Sequence, residues 1–227
     1  MGTKPPVEAY PIVKGTFTIT YIFLVTTGIV IFIEALRHGN GFISHVMNLE
    51  TAISVVAAYF YGLFMVELEQ SEKLNTPVDW NKMISYRYID WSITTPIMLL
   101  VLCMYMANNI NSTVKLGTYL TIFVLNYIML GFGYLGEIGT TDKLTGLVGG
   151  FAAFGLMYFI IYRTFMTKYS LANSVLFWFY AIVWSMYGIV YTFNNGYKIA
   201  ITNILDLISK CFVGLGLWAY YTNIITI

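Results

Sequence analysis

Residues 201–218 read ITNILDLISKCFVGLGLW, an apolar run with one acid, Asp206, and one base, Lys210, in its middle. An ionisable side chain at the centre of a membrane helix costs about 2.5–3.5 kcal/mol or more, so it marks function by default. The spacing of four puts both side chains on one helix face. One reading is an internal ion pair that only neutralises itself. The other makes Lys210 a buried amine able to form a Schiff base with an aldehyde, with Asp206 as its counterion. A helix that only had to span would keep neither charge.

The rest of the 227-residue chain has the same character, being 58% hydrophobic, 18% aromatic and only 10% charged. A soluble domain would carry about 25% charge. The apolar residues fall in seven blocks near 15–36, 45–66, 83–106, 114–136, 145–166, 172–193 and 199–222. Each is close to the ~20 residues that cross a bilayer. The expected fold is all-α, a seven-helix transmembrane bundle over 15–227, preceded by a polar segment, 1–14. The net charge of +1 and the lack of a basic cluster give no support for a nucleic-acid partner. Cys103 and Cys211 both fall inside blocks and read as small buried residues rather than a disulfide. Nothing in the pattern suggests an enzyme or a metal site.

The third block carries a second group of charges in SYRYIDWSITTPIMLLVLCMYM, residues 85–106. Arg87 and Asp90 share a face at i, i+3, and Thr94 continues it. Pro96 removes one backbone hydrogen bond from the span. Set against Asp206 and Lys210, this pair makes a quartet of formal charge zero, as a low-dielectric interior requires. In the second block Glu50 lies about one turn inside. It either snorkels to the headgroups or faces the bundle interior along an ion path. Glu67, Glu69, Glu72 and Asp79 are expected on a solvated acidic turn between the second and third blocks. Trp184, Tyr187 and Tyr191 form one aromatic stripe in the sixth, a pattern that suits a packed core as well as a ligand wall.

With RYIDWSITTP (87–96) and DLISK (206–210) together, the chain resembles the microbial rhodopsins over essentially its whole length. The resemblance implies retinal joined to Lys210 as a protonated Schiff base, in an integral, multi-pass protein of the lipid bilayer with an extracellular N-terminus. The lysine and arginine count of the loops mildly favours the reverse orientation, and the motif resemblance outweighs it. By the same resemblance Asp90 and Asp206 are counterions and Arg87 closes the outward cavity. Trp91 and Trp184 sandwich the polyene, with Tyr187 and Tyr61 completing the wall, and Thr95, Met98, Asn126, Met129 and Gly133 line the chromophore.

Four departures from the common proton pumps bear on activity. Val101 occupies the usual proton-donor position, and Gly188 replaces a proline. The outer mouth near Asn194, Asn195 and Lys198 lacks the glutamates of the usual release group, and Glu50 has no counterpart. The stretch DLISKCFVG (206–214) also resembles the channelrhodopsins. The opening VEAYPIVKG (7–15) resembles the rhodopsins of giant algal viruses. These features imply a light-gated channel for monovalent cations, its path lined by Glu50, Thr94, Arg87 and Asn203. The alternatives are an outward proton pump with Asp90 as acceptor, and a sensor acting through a separate transducer. A homo-oligomer is expected. Lys210 is the only lysine well inside a block, so Lys210→Ala protein supplied with retinal should develop no red-shifted visible band. An ordinary visible chromophore in that variant, read by absorption spectroscopy, would end this reading.

Overall fold

The computed structural model describes residues 10–39, 41–168, 170–193 and 197–225. Seven helices are long and apolar enough to cross a membrane: α1 Tyr10–Arg37, α2 Phe42–Leu74, α3 Trp80–Asn109, α4 Leu116–Glu137, α5 Lys143–Phe165, α6 Leu171–Tyr191 and α7 Tyr197–Tyr221. Their number and order match the seven apolar blocks. No strand occurs among the described residues.

Two boundaries differ from the expected ones. The first helix starts at Tyr10 rather than near 15, so residues 10–14 belong to it. Pro11 does not prevent this, because the first turn of a helix has no use for the missing N–H. The second helix runs on to Leu74, where Asn75 caps it in a left-handed conformation (φ 50°). The expected acidic turn is therefore corrected. Glu67, Glu69 and Glu72 ride on the end of α2, where Glu67 meets Lys82 at 2.6 Å and Glu72 meets Lys14 at 2.7 Å. Those ion pairs link the extended helix to α1 and α3.

Within α3 the chain passes through Pro96 without ending the helix. A proline N cannot bond the carbonyl four residues back, at Ser92. Tyr127 of α4 donates its hydroxyl to that carbonyl at 2.7 Å, so the freed acceptor is satisfied by a neighbouring helix. Helices α4 and α5 close on each other at Gly136 and Gly146. A Cβ at Gly146 would lie 2.9 Å from the Phe132 carbonyl and 3.3 Å from Gly136 Cα. Only glycine allows that approach. Gly131 of α4, by contrast, has open space around it and makes no such contact. Gly188 faces the ring of Phe151, so packing accounts for it.

The helices α3 and α7 are the most buried, and α4 is the most exposed. One apolar cluster, including Met98, Leu99, Val101 and Trp184, fills one half of the bundle. A second, around Phe17, Tyr61 and Phe64, fills the other. At the α3–α6 end Asn173 is buried and fully used. Its amide donates to the carbonyls of Met106 (3.0 Å) and Phe165 (3.2 Å), and its Oδ1 accepts from Asn109 (2.8 Å). Asn173→Ala should therefore cost roughly 1–2 kcal/mol, at the upper end for membrane hydrogen bonds. A lower thermal midpoint with an unchanged visible spectrum is the expected result.

Candidate functional site

The last helix is not uniformly α-helical. Between Tyr197–Asp206 and Val213–Tyr221, residues Leu207–Phe212 form a π-helical turn. Such turns cluster at functional sites, and this one carries Lys210. No sequence signal marks it.

Lys210 is buried, 2% exposed, and its Nζ donates to Asp90 Oδ2 at 2.7 Å, with Asp206 Oδ1 at 3.7 Å. Asp206 accepts at both oxygens. Oδ2 takes Tyr61 Oη (2.8 Å) and Arg87 Nη1 (3.0 Å), while Oδ1 takes Tyr187 Oη (2.8 Å) and Trp91 Nε1 (3.2 Å). Asp90 has the lysine on one oxygen, and its Oδ1 has no hydrogen-bond partner among the described residues. The two carboxylates are thus unequal. Asp206 is fixed by four donors, whereas Asp90 is held by the amine alone.

Arg87 continues the network away from Lys210. Its Nη2 donates to Asn203 Oδ1 at 2.7 Å, and its guanidinium lies over the rings of Phe17, Tyr61, Phe64 and Trp91 at 5.1–6.0 Å. Asn203 also donates to Thr16 Oγ1 at 3.0 Å, so it is an interhelical connector here. Thr16 and Thr18 bond back to their own helix, but Thr20 donates across to the Asn203 carbonyl at 3.1 Å. Thr94 also bonds back, to the Asp90 carbonyl at 2.9 Å.

A cavity of about 460 Å³ opens beside Lys210. Of the residues picked from sequence, Trp91, Thr95, Met98, Met129, Gly133, Trp184, Tyr187, Asp206 and Lys210 line it. Asn126 stands behind the wall, donating to Thr95 Oγ1 at 2.8 Å. Tyr61 reaches the site through Asp206. Phe151, Phe154, Gly150 and Ser209 also line the cavity. Sequence reading missed the three on α5 because nothing in a glycine- and aromatic-rich helix separates wall from packing. A mainly apolar chamber with flat side chains, one amine and two carboxylates beside it fits a long conjugated aldehyde. No group of three or more potential metal ligands is found among the described residues.

Glu50 does not reach the headgroups. It is 1% exposed, and its Oε1 has no partner among the described residues. Val101 lies in the apolar core. The same cavity extends to Glu137 and Lys198, which form an ion pair at the end where α4 finishes and α7 begins. The expectation of a mouth without glutamates is thereby corrected, since α4 supplies one that distance along the chain concealed. Asn194 and Asn195 lie outside the described residues. At the opposite end, buried Glu34 accepts from Trp218 Nε1 (3.3 Å) and Arg37 Nη1 (3.2 Å).

The model of the bacteriorhodopsin-like protein family matches residues 12–224. Among solved structures, the viral rhodopsin OLPVRII is 41% identical, with a TM-score of 0.86, covering 94% of this chain and 99% of its own. The proton-pumping rhodopsin AR2 of the marine alga Acetabularia acetabulum is 19% identical, with a TM-score of 0.75 and 99% of each chain covered. Exiguobacterium sibiricum rhodopsin is 19% identical, with a TM-score of 0.76, covering 94% of this chain and 97% of its own. No curated protein sequence matches. The unequal carboxylates lead to different expected losses. Asp206→Asn strands Arg87 and should cost about 3–5 kcal/mol, seen as a lower thermal midpoint and pigment yield. Asp90→Asn should keep more of the fold and shift the visible band of the retinal-loaded protein to the red. An unshifted band would reverse the two assignments.

Proposed function

The chain belongs to the bacteriorhodopsin-like family, and on that premise we propose that it is a retinal-binding photoreceptor of the membrane acting as a light-gated cation channel. Bound through Lys210, retinal would supply a light-driven change of shape beside Asp90. Lys210 Nζ holds a positive charge, and Asp90 and Asp206 balance it. Trp91 and Trp184 restrict the chamber, and Tyr187 ties its wall to Asp206. The N-terminus lies outside, and copies of the chain associate through their lipid-facing helices.

The observation that carries the channel reading is the buried carboxyl of Glu50 on the interior side of α2. Thr27 and Ser54 beside this region are also buried, with hydroxyl oxygens unpartnered among the described residues. With Lys210, Asp90, Asp206, Arg87 and Asn203, these groups make a polar file along α1, α2, α3 and α7. Carboxylates in such a file favour cations, and hydroxyls and amides can replace part of a hydration shell. In the resting state the Arg87–Asp206 pair closes it on one side of Lys210. Val101, at the position where a pump would hold its donor acid, cannot carry a proton.

A second reading is favoured by the same residue. Glu50, inside the bundle and near the last helix, is a candidate proton donor to Lys210 Nζ in an outward pump with Asp90 as acceptor. Voltage-clamp photocurrents separate the two. A current that reverses with the cation gradient is expected, and one that keeps its direction at every voltage overturns the channel. In Glu50→Gln the reversal potential or conductance should change while reprotonation at Lys210 Nζ keeps its rate. A slowed reprotonation that azide restores would make Glu50 the donor.

A further inference from the structure

The burial of a side chain as long and flexible as Glu50 needs a cause. Along α7, Asp206 and Lys210 carry the charged cluster, and Trp218 reaches Glu34. Between them, four residues after Lys210, stands Gly214, with no side chain. A Cβ there would lie 3.2 Å from Glu50 Oε2, 2.7 Å from Ile31 Cδ1 and 3.6 Å from Thr27 Cγ2. The Glu50 carboxyl therefore lies close against α7 at Gly214, where a Cβ would press on it and overlap Ile31 Cδ1. Gly216, two residues on, has nothing within 4 Å of the same position. Glycine is a poor helix former, and at 214, unlike 216, the neighbouring side chains account for it.

We propose that Gly214 is the positioning residue for Glu50. Its missing side chain is the socket that seats the carboxyl between Thr27 of α1 and the turn of α7 that follows Lys210. The socket turns the acid inward, toward the charged cluster, and away from the membrane surface. Its consequence for transport rests on the reading of Glu50 as an ion-path residue, whereas its geometry does not. Ser54 follows Glu50 by one turn of α2, and its hydroxyl, like that of Thr27, is unpartnered among the described residues. Glu50 thus shares a buried polar niche with Thr27 of α1 and Ser54 of its own helix, against α7 at Gly214.

The test uses the full-length, retinal-loaded protein. Gly214→Ala also presses on Ile31, so it is made together with Ile31→Val, which deletes Cδ1 and leaves Glu50 as the tight neighbour. The readouts are photocurrent decay and the dark-state chemical shift of the Glu50 carboxyl carbon. The latter is followed by solid-state NMR and assigned by its loss in Glu50→Gln. Relative to Ile31→Val, the double variant should move that resonance and change the decay by roughly three- to tenfold, and Gly216→Ala should do neither. In a Glu50→Gln, Ile31→Val background, Gly214→Ala should change the decay by less than about twofold. An unmoved resonance, or an equal effect of Gly214→Ala with and without Glu50, overturns the socket. A moved resonance in a protein whose currents ignore Glu50→Gln supports the socket and overturns the ion-path reading of Glu50 instead.

Discussion

The structure depends on keeping four charges neutral in a place that water barely reaches. Lys210, Asp90, Asp206 and Arg87 come from two helices, and each ion is paired within 3.0 Å. Removing one member of a buried pair leaves an uncompensated charge, which costs far more than the pair contributes when whole. That constraint ties α3 to α7. It also recruits Tyr61 from α2 and Tyr187 from α6, whose hydroxyls fill the remaining acceptor sites of Asp206. Two tyrosines from opposite sides thus hold one carboxylate in a single orientation.

The imbalance between the two acids follows from this arrangement. Asp206 is rigid because four donors fix it, while Asp90 keeps an oxygen free of side-chain and backbone partners among the described residues. A charge held by one labile contact can change partners, and a charge held by four donors cannot. The π-helical turn belongs to the same design. It sets Lys210 in an irregular stretch of backbone between two regular segments, within a helix that must still satisfy its own polar groups in lipid.

Beyond the quartet, the polar residues divide by what surrounds them. On the Arg87 side, Asn203, Thr16 and Thr20 are fully engaged in bonds between helices. On the Glu50 side, Thr27, Ser54 and Glu50 each keep an unpartnered oxygen among the described residues.

Much of this was legible in the chain itself. Apolar blocks of bilayer length dictate seven helices, because lipid leaves a backbone no partner but its own turn. Asp206 and Lys210, or Arg87 and Asp90, share a face by spacing alone, and neutrality links the two pairs. The resemblance of the two motifs pointed to Trp91, Trp184 and Tyr187 around the lysine. Three things needed the tertiary structure. Glu50 had two possible directions, and only the packing of α1 and α7 around it excludes the membrane surface. Glu137 is 61 residues from Lys198, and no periodicity within one helix foretells a partner on another. The lysines of α1 and α3 that meet Glu72 and Glu67 on the extended end of α2 are far from them in the chain. Local spacing and the cost of burying charge act within one helix, so sequence carries them. Which helix faces which is settled by side chains far apart in the chain, and that only the folded bundle decides.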